Sequence, residues 1–216
     1  TEDFANGFAG NNGGLGPWTT SGANGNIWRY THHGPVGAYS NATAQVIASP
    51  SRANGFMIFN SDSANTNWSD TTQVASPVAF TGSLVSPVMD LSATPFVEMK
   101  FSQRFRFCCS NGTPGHYVDV STDGGSTWPT RINVENGVVD NVDSGTLLYS
   151  VNLTVAISAN PASVRISCTE DGAHGITAYN WQIDDVNIQT LAPTDLQITG
   201  AAPELMSAHP QSGHYL

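Results

Sequence analysis

Lysine occurs once in this 216-residue chain, at Lys100, and Lys and Arg together number 7 against 17 Asp and Glu, a formal net charge of −10. A protein that grips nucleic acid neutralises phosphates with clustered basic side chains, so nucleic acid is excluded as a partner. Anionic membrane surfaces ask for the same clusters and are disfavoured too. No apolar run approaches the roughly 18 residues a membrane-crossing helix needs. The first residues carry no basic segment followed by an apolar one, so any export signal is expected to have been removed ahead of Thr1. HExxH and GxSxG are both missing, which removes the zinc-protease helix and the nucleophile elbow. Charged residues are only 11% of the chain against an average of about 25%. Gly, Ser, Thr and Asn take their place, a turn-rich β composition that still has 39% hydrophobic residues for a core. One large all-β domain fits this length.

Helical periodicity is nearly absent, and period-2 alternation recurs. Val97, Met99, Phe101, Phe105 and Phe107 are apolar, with Gln103 the exception on that face, while Glu98, Lys100, Ser102, Arg104 and Arg106 are polar. Tyr149, Val151, Leu153, Val155 and Ile157 repeat the pattern, as do Val164, Ile166 and Cys168, and Phe56 to Phe59 is a short apolar run. All read as strands with a buried face. Asp123-Gly124-Gly125 follows one strand and supplies positive φ angles for a tight hairpin. In the last strand, apolar parity flips from Trp181 and Ile183 to Val186 and Ile188. A β-bulge at Asp184-Asp185 would turn one carboxylate off the ladder. The expected fold is an all-β, two-sheet antiparallel jelly-roll sandwich over residues 1–190. Breaker signals then mark 191–216 as a linker and tail, or the start of a following domain.

Three cysteines cannot all pair within the chain. Cys109 continues the odd face of Phe105 and Phe107, and Cys168 shares a face with Val164 and Ile166, whereas Cys108 falls on the polar face. Cys109–Cys168 is therefore the best disulfide candidate in an oxidising compartment, with buried free thiols as the alternative. A metal site of Cys108 and Cys109 with His116 or His174 lacks zinc-type spacing. His32, His33 and His174 lie in loop-like segments and read as solvated. Trp68 sits in a polar stretch outside any alternation, where an indole can stack on a sugar ring or a partner's side chain, or else cover a sheet edge. Trp18, Trp28, Trp128 and Trp181 read as core or hairpin packing.

Asp3-Phe4, Gly16-Pro17-Trp18, Trp28, Leu84 to Ser92, Val118 to Trp128 and Trp181 to Ile188 occur in an order and spacing that resembles the MAM-like jelly-roll modules of secreted bacterial proteins. That group includes the cleaved-adhesin domains found beside gingipain-type proteases. The resemblance implies a secreted or cell-surface chain with flanking domains, a glycan or protein partner on a cell surface or matrix, and a structural calcium ion. In those modules an acidic, glycine-punctuated loop ahead of a tryptophan helps bind the ion. The matching stretch here, Ser21 to Trp28, has Asn24 and Asn26 where carboxylates are expected, and amide oxygens bring no charge. Glu2, Asp3, Asp184 and Asp185 would compensate if the first and last strands lie together, as the resemblance implies. The expected function is non-catalytic adhesion or binding. The alternatives are a carbohydrate-binding module that targets an attached hydrolase, and a structural spacer.

Overall fold

The computed structural model describes residues 1–10, 17–94, 96–110, 112–135 and 137–191. The proposed linker and tail, from residue 192 onward, lies outside the described residues. Two five-stranded antiparallel sheets face each other, as the alternation required. The first has the order β1 (Thr19–Ser21), β6 (Gly82–Val85), β11 (Arg165–Glu170), β8 (His116–Ser121) and β9 (Thr130–Asn133). The second runs β10 (Leu147–Asn152), β7 (Val97–Arg106), β12 (Asn180–Thr190), β3 (Phe56–Asn60) and β2 (Trp28–Thr31). A small hairpin, β4 (Thr66–Asn67) with β5 (Thr72–Gln73), follows the one-turn helix α1 (Ser61–Ala64).

Between the sheets Trp28, Phe59 and Trp181 are fully buried, and the Trp28 ring lies 5.8 Å from each of the other two. Register sets this cluster: Trp28 pairs with Phe59, and Phe59 with Trp181. Gly82 of the opposite sheet makes room, since a Cβ there would stand 2.7 Å from the Phe59 ring. Gln103, the polar exception on the inner face of β7, is also fully buried. Its amide donates to Val134 O at 2.6 Å and its oxygen accepts from Trp181 Nε1 at 3.0 Å, so both ends are satisfied where water cannot reach.

Three sequence expectations are corrected. The alternation after Tyr149 does not make a strand to Ile157: β10 ends at Asn152, and Ile157 N donates back to Leu153 O at 3.0 Å, leaving Val155 85% exposed. Gly124 and Gly125 do have positive φ, but β8 and β9 pair only as far as Val120 opposite Thr130, so their connection is a longer loop. The third correction concerns the disulfide. Cys108 is bonded to Cys109, and Cys168 is a buried free thiol. The parity argument fails because β7 stops at Arg106 and Cys109 adopts φ +65°, which ends the alternation before the cysteines are reached. Cys168 sits mid-sheet between Leu84 and Val118, and burial pushes its thiol well above the usual range. Peptide mapping without reduction should therefore return Cys108 and Cys109 in one peptide lighter by two hydrogens. Cys168 should react with an alkylating probe only after denaturation, and a Cys109–Cys168 cross-linked pair would contradict the structure.

Candidate functional site

Strand β12 carries the first concentration of chemistry. Its register against β7 slips between Asp184 and Asn187, and Asp185 takes φ +52°, so the bulge expected from the parity flip is present. Asp184 is fully buried. Its Oδ2 accepts from the Ser49 hydroxyl at 2.5 Å and the Ser51 hydroxyl at 3.2 Å, and Ser51 also donates to Asp185 Oδ1 at 2.5 Å. Asp185 Oδ2 is buried and accepts no hydrogen bond. Burial, joined by the neighbouring Asp185 charge and opposed by the bonds from Ser49 and the Asp185 amide, pushes the Asp184 carboxyl up to about 6.

The chain start joins this region. Glu2 forms a bridge with Val186, and Asp3 Oδ2 accepts from Asn54 at 2.9 Å in the same turn region that supplies Ser49 and Ser51. The Glu2 carboxylate is committed nearby, accepting from Phe4 N at 2.7 Å and Trp18 Nε1 at 3.2 Å. The backbone thus brings the segments of four of the six expected metal ligands to one region. Of these the Asp184 and Asp185 carboxylates share a hydrogen-bond partner, but among the described residues no three of these acidic groups converge on one point. Asn24 and Asn26 lie elsewhere. Asn24 donates to Ala79 O at 2.6 Å and Asn26 to Thr20 Oγ1 at 2.5 Å, both beyond the Trp28 end of β2. The bulge lies past the other end, where Thr31 pairs with Phe56, and the three steps between Trp28 and Thr31 alone span about 10 Å. The Asn24–Asn26 turn therefore belongs to a different place in the fold. The donors that remain, the Asp184 and Asp185 carboxylates with the Ser49 and Ser51 hydroxyls, are oxygens of the kind a hard cation takes but fewer than the roughly six to eight that calcium takes.

A second concentration was missed. His116, Glu135, Glu170 and His174 are 0%, 5%, 0% and 3% exposed. His116 and Glu170 are the paired end residues of β8 and β11, Glu135 follows β9, and His174 returns over Glu170 through the turn at Asp171–Gly172. The loop-like sequence around His174 suggested a solvated ring. Instead it stacks on Phe107 at 4.1 Å, and His116 lies 4.6 Å from Trp181. His174 Nδ1 is 2.8 Å from Glu170 Oε2 and His116 Nε2 is 3.0 Å from it. Glu135 Oε1 lies 3.0 Å from His174 Nε2 and 3.4 Å from His116 Nδ1. Burial works to lower the His174 pKa, but the two carboxylates outweigh it and hold it up at about 9. Burial likewise opposes the charge on Glu135 and Glu170, and the imidazoles win, leaving both carboxyls below their usual range. The signal available in sequence was the spacing of Glu170 and His174, which is common by chance.

The third feature is exposed. Trp68 sits in the β4–β5 turn with 57% of its surface open. Its hairpin is fixed at the base: the Asn65 side chain both donates to Val78 O and accepts from Val78 N at 2.9 Å, and Thr66 Oγ1 donates to Asp62 O at 2.7 Å. Helix α1, which runs into this hairpin, helps wall a cleft of about 620 Å³ lined also by Arg29, Thr31, Val36, Ile58 and Asn60. Trp18, Trp28 and Trp181 are buried and Trp128 is half-buried, as packing roles require.

No protein-family model matches this sequence, and no curated protein matches it. Among solved structures, the fold is similar to the K3 cleaved adhesin domain of Lys-gingipain from Porphyromonas gingivalis, with 16% identity over 88% of this chain and 97% of that one and a TM-score of 0.48. The K1 domain of the same protein gives 13% identity, 81% and 91% coverage and a TM-score of 0.46. A carbohydrate-binding module from Caldicellulosiruptor saccharolyticus, CBM27-1 in complex with mannohexaose, gives 10%, 88%, 96% and 0.41. At these identities and scores, none of the three assigns this chain an activity or a ligand.

The raised Asp184 carboxyl has a signed consequence for the metal-free protein. The folded state holds its proton more tightly than the unfolded chain, so the associated stability is present below the ordinary value of 3.8 and is lost as pH rises through about 6. The loss is on the order of 3 kcal/mol, from about two pKa units at 1.36 kcal/mol each. Denaturant titrations in excess chelator should show Asp184→Asn gaining on the wild type by that order between pH 4 and pH 7. A constant difference across this range would show that Asp184 does not titrate in the folded protein.

Proposed function

We propose that this protein is a non-catalytic binding module of a secreted or cell-surface protein, with a glycan or a protein surface as its partner and Trp68 as the central contact. The exposed Trp68 indole on an anchored hairpin carries the reading. A large apolar ring held in water by a fixed loop gains most by stacking on a sugar face or a partner side chain. The cleft walled by helix α1, which Trp68 itself does not line, offers Arg29, Thr31 and Asn60 as polar groups beside apolar Val36 and Ile58, a mixture suited to a hydroxyl-rich ligand. The disulfide at the Cys108–Cys109 turn suits an oxidising compartment, and the single lysine argues against polyanionic partners. The flanking domains remain part of the proposal, with targeting of an attached hydrolase as one use of such a module. A pure spacer has no use for an exposed indole.

Binding is tested with a glycan panel and with extracellular matrix proteins, followed by Trp68→Ala. A stacked aromatic at a binding centre contributes about 2 kcal/mol or more, so the substitution should weaken binding at least about tenfold while leaving the melting temperature nearly unchanged. Lower stability with intact affinity would make Trp68 a packing residue and favour the spacer.

We also propose calcium at the bulge, held by Asp184 and Asp185 with the Ser49 and Ser51 hydroxyls, with the remaining positions filled by backbone oxygens or water. Neutralising two adjoining carboxylates, one with a buried unused oxygen, supports this assignment. At about 100 times its dissociation constant the ion should add roughly 2.7 kcal/mol to stability. Identical melting midpoints with calcium and with chelator would remove the site; a calcium shift abolished by Asp185→Asn but kept by Asn24→Ala would support these ligands.

A further inference from the structure

We propose that His116, His174 and Glu170 form a second metal site, selective for a divalent transition cation of the zinc type, with Glu135 holding both imidazoles from behind. The donor atoms of the three residues lie within 4.8 Å of one another, and all three side chains are buried. This site is separate from the calcium proposal in place and in chemistry. Calcium takes oxygen ligands, whereas two imidazoles and one carboxylate suit zinc and its neighbours.

Direction and distance together favour an ion over a purely proton-held network. Four nitrogen–oxygen approaches close the cluster, and protons alone would satisfy them only if both imidazoles were doubly protonated. Each ring would then aim an N–H at an oxygen on either side. His116 does not: Nε2 is 3.0 Å from Glu170 Oε2 and Nδ1 is 3.4 Å from Glu135 Oε1, yet neither nitrogen is directed at its oxygen as a hydrogen bond. Between His116 Nε2 and Glu170 Oε2, the two proposed ligand atoms, close approach without alignment is the pattern expected of donors that aim at a third atom. Two ligands of one tetrahedral zinc stand about 3.3 Å apart for bonds of about 2.0–2.1 Å, a small outward shift from the 2.8 and 3.0 Å seen at Glu170 Oε2.

Charge and support agree. An ion that displaces the imidazole protons would meet two neutral rings and two carboxylates, a sum of −2 that a divalent cation cancels in a pocket walled by Phe105, Phe107 and Trp181. Glu135 Oε1 lies 3.0 Å from His174 Nε2 and 3.4 Å from His116 Nδ1, near both outer nitrogens though aligned with neither as a hydrogen bond, and is itself fixed by Gly115 N at 2.7 Å and His116 N at 2.9 Å. A carboxylate behind a metal-bound imidazole sets its tautomer and raises its basicity. Gly115 completes the support, because a Cβ there would stand 2.6 Å from the His174 ring. With three protein donors, zinc has one further position for a water or for the second Glu170 oxygen.

The full chain, expressed without a histidine tag and folded with zinc, is measured by elemental analysis and native mass spectrometry after gel filtration. One zinc per chain is expected, exchangeable for cobalt(II) with visible absorption bands. His116→Gln and Glu170→Gln should each lower affinity by about 100-fold or more, and Glu135→Gln by about 10- to 100-fold. The double variant His32→Ala, His33→Ala, altered only at exposed rings, should bind as the wild type does. Should the buried variants fail to fold, X-ray absorption of the wild-type complex decides: two imidazoles and a carboxylate support the site, and a shell with sulfur or without imidazole overturns it. Folded wild type that retains no zinc, cobalt or nickel overturns it equally and leaves the cluster as an internal ion network. So does binding lost with His32 and His33.

Discussion

The long strand β12 is the constraint on which the other parts depend. It runs between β7 and β3 in the middle of the second sheet and reaches the core, the bulge and the histidine cluster alike. Trp181 fills the centre of the sandwich and touches His116. Gln182, fully buried, accepts from Ile47 N at 2.8 Å and donates to Gln45 O at 2.8 Å, tying down the long segment ahead of β3. Asp184 and Asp185 form the bulge, and Val186 receives the start of the chain through Glu2 N at 2.7 Å. Replacing an aromatic such as Trp181 with Ala would cost about 3–5 kcal/mol from packing alone, and here it would also strand the Gln103 amide oxygen.

That strand is also where burial and polarity meet. A sandwich interior tolerates polar groups only where their partners are supplied, because an unpaired amide or carboxylate loses its water with nothing in return. Gln103 and Gln182 meet the condition with neutral bonds. The four-residue His and Glu cluster and the Asp pair at the bulge carry charge into the same interior. At the cluster, positive and negative groups face one another. At the bulge, among the described residues, no positive group faces the Asp184 and Asp185 carboxyls, and burial, with a smaller push from the Asp185 charge, drives the Asp184 carboxyl up. Both sites sit where strands begin, end or slip, since an unbroken ladder offers no room to turn several polar side chains toward one point.

The exposed surface has a different logic. The loop carrying Trp68 contributes little to the core, and it is held at its base by Asn65 and Thr66, so its indole can stay open without loss of order. If the proposed contact through Trp68 holds, such a division, with rigidity from the sheets and contact from the loop, would let ligand choice change without disturbing the fold.

The amino-acid sequence by itself determined the class of fold, most of its strands and the bulge, because side-chain alternation is a local property: Val97 to Arg106 reads as a strand whatever lies beside it, and the parity flip at Asp184-Asp185 needs no neighbour to be seen. It also marked Trp68 as standing apart from the core. It failed where one residue's meaning depends on a chain segment far away or on where a strand stops. Parity could not foresee that β7 ends at Arg106, so Cys109 was matched to a partner in the other sheet. Asn24 and Asn26 share a turn composition with ion-binding loops but lie past the opposite end of β2. His116, Glu135, Glu170 and His174 are spread over more than fifty residues and meet only because β8, β9 and β11 are neighbours in one sheet. Only the tertiary structure decided that, since convergence is a property of strand order and register, and neither is written in local pattern.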